Sequence, residues 1–137
     1  MNIDVVGGVY HEFCSWPEHE ALLGSAGRAA LCLSQLDCGI NVGLHSILEL
    51  GDHTKIQEVF AFNKNCHLKI RESGFTTRFD YFHPLSEPKI TPNKVDAKRP
   101  DFQVGSLNGD AVILFGMVDY IPVISASVVI YDPQNTY

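Results

Sequence analysis

The sequence predicts an α/β fold, a mostly parallel sheet with flanking helices and a β-hairpin. Three observations point there. The runs Ile3–Val9 and Asp110–Gly116 are apolar, β-branched and non-alternating, as strands buried on both faces are. Stretches with apolar residues at helical spacing lie between such runs, beginning near Gly24 and Gly51. The resulting order, β, α, β, α, β-hairpin, β, short α, β, is that of strands joined by crossovers rather than by tight turns alone.

Taken in order, Ile3 to Val9 reads as a buried first strand that continues through Tyr10 to Cys14, with Glu12 near the point where it leaves the core. Trp16-Pro17-Glu18-His19-Glu20 reads as a turn or the first turn of a short helix, since proline suits a helix start. From Gly24 to Leu36, Ala26, Ala29, Ala30, Leu33 and Leu36 share a narrow face of small residues, and Cys38-Gly39 supplies a stop. A strand follows from Ile40 to Ile47. Gly51-Asp-His-Thr opens a second helix, capped by Asp52 or Thr54, with Ile56, Val59, Phe60 and Asn63 on one side. Leu68–Arg71 and Phe75–Phe82 alternate in period two about Ser73-Gly74, which predicts a hairpin or bulged turn. Residues 83–100 hold four of the seven prolines and read as an extended edge, a loop or a cover over a site. Asp110–Gly116 and Val128–Pro133 are the last strands, a parallel pair if Met117 to Ser127 holds a short helix.

With 137 residues, 45% of them apolar, the chain fits a single domain, or one large piece of a domain, with a packed core. The net charge of −6 comes without any basic run, which argues against nucleic acid or an anionic membrane as the main partner. A small molecule held by a few local groups fits better. Met1 to Gly8 lacks the pattern of a secretory signal, and no run approaches the roughly 20 apolar residues that span a bilayer, so a cytoplasmic protein is expected. Cys14, Cys32, Cys38 and Cys66 show no C-x-x-C spacing, and reduced thiols are the default.

The candidate site is the segment Gly24-Ser-Ala-Gly-Arg28 at a helix start. Unsatisfied N–H groups and the positive end of the helix dipole lie there, Gly24, Ser25 and Gly27 permit close approach, and Arg28 adds a planar donor fork. A tight turn whose glycines serve only packing is the competing reading, and Arg28 paired with Glu18 or Glu20 at the surface is another. In an open α/β sheet ligands lie beyond the carboxyl ends of the strands, where Gly7, Gly8, Gly116 and Asp132 would gather. His11, Cys14 and His19 match no zinc module, and no Cys–His nucleophile has an identifiable orienting group, so no metal site and no catalytic residue is assigned. The aromatic residues Phe75, Phe79, Tyr81 and Phe82 read as packing rather than a base-stacking platform.

This order of motifs resembles the N-terminal, substrate-binding half of the ribokinase (PfkB) family of carbohydrate and nucleoside kinases. Val5-Val-Gly-Gly-Val-Tyr-His-Glu-Phe13 is similar to the family's first strand and its turn into the substrate site. Gly24-Ser-Ala-Gly-Arg-Ala-Ala with its helix resembles the glycine signature, and Asp110–Gly116 with Val129-Ile-Tyr-Asp-Pro-Gln134 resembles the central strands.

The resemblance implies transfer of the γ-phosphate of ATP, with Mg2+, to a hydroxyl of a sugar or nucleoside-like substrate. Glu12 would hold substrate hydroxyls where the family usually has aspartate. Arg28 stands where the signature normally continues to asparagine, and Leu23 replaces the first glycine. Gly116 would line the cleft. The family's strand lid of roughly twenty residues has almost no room between Cys14 and Leu23, so residues 83–100 are the expected cover. The Gly-Ala-Gly-Asp segment with the catalytic base, and the ATP site, would lie outside this chain. The expected partner is therefore a missing C-terminal half or a second copy in a homodimer. The alternative is a non-catalytic small-molecule-binding or interaction domain derived from this fold, dimerising through an exposed sheet edge.

Overall fold

The structure, a computed structural model, describes residues 1–36, 38–93 and 99–134. Its centre is a parallel sheet of β1 (Asn2–Val6), β4 (Asn41–Glu49), β5 (Cys66–Ser73), β9 (Ala111–Phe115) and β11 (Val129–Asp132), in the order β11-β9-β1-β4-β5. Strand β1 is the middle one, with Val5 registered against Leu44 on one side and Ile113 on the other. That position explains its unbroken apolar run, because Val5 and Val6 point to opposite faces and both are fully buried.

One face is covered by α1 (Gly24–Ser34) and α2 (Leu50–Val59), which close Ile3, Val5, Val42, Leu44 and Leu48 under Ala26, Ala30 and Ile56. Alanines at i and i+4 let α1 sit close on the strands. Full burial of a Leu or Ile here contributes about 1.5–3 kcal/mol. The other face carries Val6 and Val112 under Phe102 and Met117, supplied by β8 (Asp101–Ser106), which pairs in parallel with β10 (Ile121–Ser125), and by the turn between β9 and β10.

A second, four-stranded sheet stands off the first. It comprises β2 (His11–Ser15), β3 (Glu18–Leu22), β6 (Arg78–Tyr81) and β7 (Lys89–Thr91), ordered β3-β2-β6-β7. β2 and β3 form an antiparallel hairpin turned at Trp16-Pro17, β2 and β6 run parallel, and β6 and β7 run antiparallel.

Several expectations are corrected by this arrangement. The first strand ends at Val6, and His11–Ser15 belongs to the other sheet, because Gly7-Gly8 interrupts the run between them. Trp16-Pro17 is a turn, but Glu18–Leu22 is a strand rather than a turn or helix, so the short interval between Cys14 and Leu23 does hold one strand of the small sheet. Leu68–Arg71 and Phe75–Phe82 form no hairpin with each other: β5 stays in the large sheet and β6 joins the small one after the bend at Gly74. The tight hairpin is β2–β3 instead, and β6 turns back to pair with β7. Met117 to Ser127 carries β10, not a helix, yet β9 and β11 are the parallel pair that the crossover required. Leu36 lies beyond the end of α1 and is exposed. Of the proline-rich stretch, 89–91 is β7 and 94–98 lies outside the described residues. Among the described residues no helix is long and apolar enough to cross a membrane.

Candidate functional site

The carboxyl ends of β1, β9 and β11 and the start of α1 come together beneath one face of the small sheet. In β2 and β6, Glu12 is registered with Phe79 and Cys14 with Tyr81, so these four share that face. Glu12 is the carboxylate among them. Its carboxylate accepts a hydrogen bond from the backbone N–H of Gly24 at 3.2 Å and is bound by the Arg28 guanidinium at 2.7 Å. The acid thus meets the first orphan donor of α1 and the positive end of its dipole. Arg28 pairs with Glu12, and not with Glu18 or Glu20 as the competing reading has it. Its side chain stays about half exposed at 48%, whereas that of Glu12 is 18% exposed, so the guanidinium retains donors for another partner.

An aromatic wall adjoins this pair. Phe79 stacks on Tyr81 with centroids 6.3 Å apart and leans on Tyr10 at 5.0 Å. Burial pushes the Tyr81 phenol above its ordinary pKa, and the Glu12 charge adds to the effect, which keeps it a hydroxyl donor at neutral pH. Phe79 and Tyr81, expected as packing, do pack on one another and on Tyr10, on the face of the small sheet that Glu12 shares. The period-two alternation of Phe79 and Tyr81 with Arg78 and Asp80 was the available signal.

The glycines have protein against them. Gly24 has φ +59°, and a Cβ there would lie 2.5 Å from the Gly8 carbonyl oxygen. Only glycine fits both the left-handed backbone and the close approach of the β1–β2 linker. Gly27 packs on Leu23 and Val9. A Cβ at Gly116 would lie 2.1 Å from the Pro133 carbonyl oxygen, and the Gly116 N–H donates to the Asp132 carbonyl at 2.8 Å. These three therefore hold α1 and β11 tight to the site. Ser25 Oγ donates to Gln134 Oε1, and Gln134 Nε2 donates in turn to Asp132 at 2.7 Å, so the ends of β11 and α1 are joined at the site's rim.

Two buried carboxylates fix the small sheet to the large one, and neither was legible as such. Asp52, expected as a helix cap, makes no capping bond; Glu49 is the N-cap residue and also makes none with its side chain. Asp52 is fully buried and bonds His11 Nε2 at 2.7 Å and Lys55 Nζ at 2.6 Å. Burial alone would raise its pKa, but hydrogen bonds from Lys55, Thr76 and His11 outweigh this and hold it below the usual carboxylate range. Asp119 accepts from Thr77 Oγ1 at 2.7 Å and from the Tyr10 hydroxyl at 3.2 Å, while that hydroxyl accepts from the Val118 N–H. Burial, reinforced by the Asp119 charge, raises the Tyr10 pKa well above its ordinary value.

Among the described residues no three His, Cys, Asp or Glu side chains converge as a metal site. His11 is committed to Asp52, and Cys14 lies on the opposite face of β2 from it.

No protein-family model matches the sequence, and no curated protein does. Solved structures do match. A pyrophosphate-dependent kinase in the ribokinase family, complexed with a pyrophosphate analog and myo-inositol, aligns over 83% of this chain at 16% identity with a TM-score of 0.56. A sulfate complex of a pyrophosphate-dependent kinase in the ribokinase family aligns over 90% at 16% identity with a TM-score of 0.58. A pyrophosphate-dependent myo-inositol-1 kinase converted by mutation into a myo-inositol-3 kinase aligns over 83% at 16% identity with a TM-score of 0.56. The chain spans less than half of each of those chains, 41%, 49% and 39% respectively. Its mostly parallel sheet with flanking helices is a ribokinase-like fold.

Proposed function

We propose that this chain is the acceptor-binding portion of a phosphotransferase that moves a phosphoryl group to a hydroxyl of a small polyol, a sugar or nucleoside-like compound. The observation that carries the reading is the Glu12–Arg28 pair at the start of α1 beside the Phe79–Tyr81 wall. A carboxylate accepts from two neighbouring hydroxyls at once, the free donors of Arg28 reach a third oxygen, and an aromatic face covers the C–H side of a ring. Ser25 adds a hydroxyl at the rim, and Gly24, Gly27 and Gly116 keep the walls close. The small sheet, rather than residues 83–100 alone, is the cover that excludes water.

The donor belongs to the part of the enzyme this chain does not supply. ATP with Mg2+ is the donor the resemblance implies, whereas the neighbouring structures are of pyrophosphate-dependent kinases. Among the described residues no three His, Cys, Asp or Glu side chains converge; on this reading the chain holds the acceptor, and no catalytic base is assigned to it.

Calorimetric titration with myo-inositol, ribose and adenosine tests the reading. At least one should bind saturably, and Glu12→Gln should weaken it about tenfold to a hundredfold, the worth of a hydrogen bond to a charged group. Binding of none of the three, or an unchanged affinity in Glu12→Gln, would refute it.

A second reading rests on β11. Val129, Ile130 and Tyr131 are exposed at 43%, 58% and 60% on an unpaired edge strand, which suits a binding or interaction domain that pairs with a second copy through this edge. Sedimentation of the wild type as a dimer and of Ile130→Lys as a monomer would favour it; a monomeric wild type would exclude it.

A further inference from the structure

The face of the large sheet turned away from α1 and α2 carries a separate group of charges. Asp4 of β1 and His45 of β4 are 8% and 7% exposed, with His45 Nε2 2.7 Å from Asp4 Oδ1 and Lys69 Nζ 3.5 Å from the same oxygen. Gly43, registered with Asp4, leaves the room this carboxylate occupies; a Cβ there would lie 2.4 Å from Oδ1. Arg71, two residues along β5 from Lys69 and so on the same face, lies over the Phe102 ring at 5.7 Å. Among the described residues it has no carboxylate within ion-pair distance. Between β5 and β8 these side chains border a cleft of about 340 Å³ lined by His45, Lys69, Arg71, Phe102 and Val104.

The charge pattern departs from that of the whole chain. The protein carries −6, yet the exposed ionisable groups of the cleft are the cations Lys69 and Arg71, with His67 next on the same face of β5. Burial holds the His45 imidazole below its ordinary pKa despite its bond to Asp4, so at neutral pH it is uncharged and Nε2–H donates to the carboxylate. Asp4 is then balanced by Lys69, and the charge of Arg71 is left over. Buried ionic groups of this kind stabilise a sheet less than apolar residues of the same volume would. Placed around an open cleft with one apolar wall, they form a recognition surface.

We propose that this cleft binds a small organic oxyanion, a phosphate monoester or a carboxylate, gripped chiefly by the Arg71 fork that Phe102 supports from below, with Lys69, shared with Asp4, beside it and Val104 against the ligand's carbon skeleton. The site lies on a face of the sheet, not at the strand ends, and is independent of the acceptor site at Glu12.

The test is an NMR titration of the full chain with inorganic phosphate and, in parallel, with benzoate, at ionic strength held constant with chloride. Saturating shifts of the backbone amides at 69–71 and 102–104 are expected, and Arg71→Gln should weaken binding at least tenfold. Arg71→Lys, which keeps the charge and loses the fork, should give a smaller loss and carries the comparison if Arg71→Gln does not fold. Saturation by phosphate alone assigns a phosphoryl ligand, and saturation by benzoate a carboxylate. Shifts that fail to saturate with either probe, that match those of added chloride, or that persist at wild-type affinity in both variants would overturn the proposal.

Discussion

Removing the Asp52 carboxylate should uncouple the two sheets. Its side chain is wholly buried, whereas His11 is 20% and Lys55 59% exposed, so the three contacts are unequal. The Lys55 bond is largely solvated and contributes about 0–1 kcal/mol. The bonds that bring β2 and Thr76 to α2 are shielded, and leaving their donors without an acceptor puts Asp52→Ala at about 3–5 kcal/mol. Asp52→Asn keeps the shape and one acceptor, and should cost about 1–2 kcal/mol. In urea, with a slope of about 1.5 kcal/mol/M, Asp52→Ala lowers the midpoint by roughly 2–3 M. The sign of the pH effect follows from the depressed folded pKa of Asp52: its contribution is complete above the unfolded value of about 3.9 and is lost as pH falls through the folded value. The gap between wild type and Asp52→Asn should therefore be widest above pH 5 and narrow as acid is added. A midpoint change for Asp52→Ala below about 0.5 M, or a gap that does not narrow in acid, would refute this account of how the small sheet is held.

Gly24→Ala places a side chain on a left-handed residue against the Gly8 carbonyl and should destabilise by about 2–4 kcal/mol, read from the urea midpoint. In Gly116→Ala the new methyl meets the Pro133 carbonyl, so β11 should detach first, seen as faster hydrogen exchange at the amides of 129–132. Burial pushes the Cys66 thiol up to about 11, which leaves roughly a thousandth of it as thiolate at pH 8. The exposed Cys32 and Cys38 should accordingly react with a disulfide reagent well before Cys66, and equal rates would show that β5 is not packed as described.

The centre of the large sheet was readable because β1 is buried on both faces and, like β9 and the exposed edge strand β11, is an unbroken apolar run; these three were each placed within a few residues, whereas β5, with one face exposed, was read as half of a hairpin. The small sheet was not, because its strands are short, half-exposed and polar on one side. Glu18-His-Glu has no apolar signature at all, and only its ladder with His11–Ser15 makes it a strand. The pairing of β2 with β6 joins residues more than sixty positions apart, which no local pattern encodes. At the site, the glycine-punctuated stretch from Gly24 marked the start of α1, and Glu12 and Arg28 were both singled out. Their contact with each other depends on the small sheet and could not be inferred without it. Asp52 looks like any acid at a helix start, and its burial is a property of the fold around it.

The path of the chain between the two sheets has a bearing on synthesis. It enters the small sheet at His11, leaves after Leu22, returns at Arg78, and leaves again after Thr91. The first visit makes only a hairpin, and an isolated hairpin is marginal in water. As the chain emerges from the ribosome, β2 and β3 are exposed before their parallel partner β6 has been made, while β1 and β4 can already pair. The candidate site, whose carboxylate sits on β2 and whose aromatic wall sits on β6, is thus among the last parts to assemble. Long-range closure of this kind slows folding, and a ligand that bridges β2 and β6 would act on that late step.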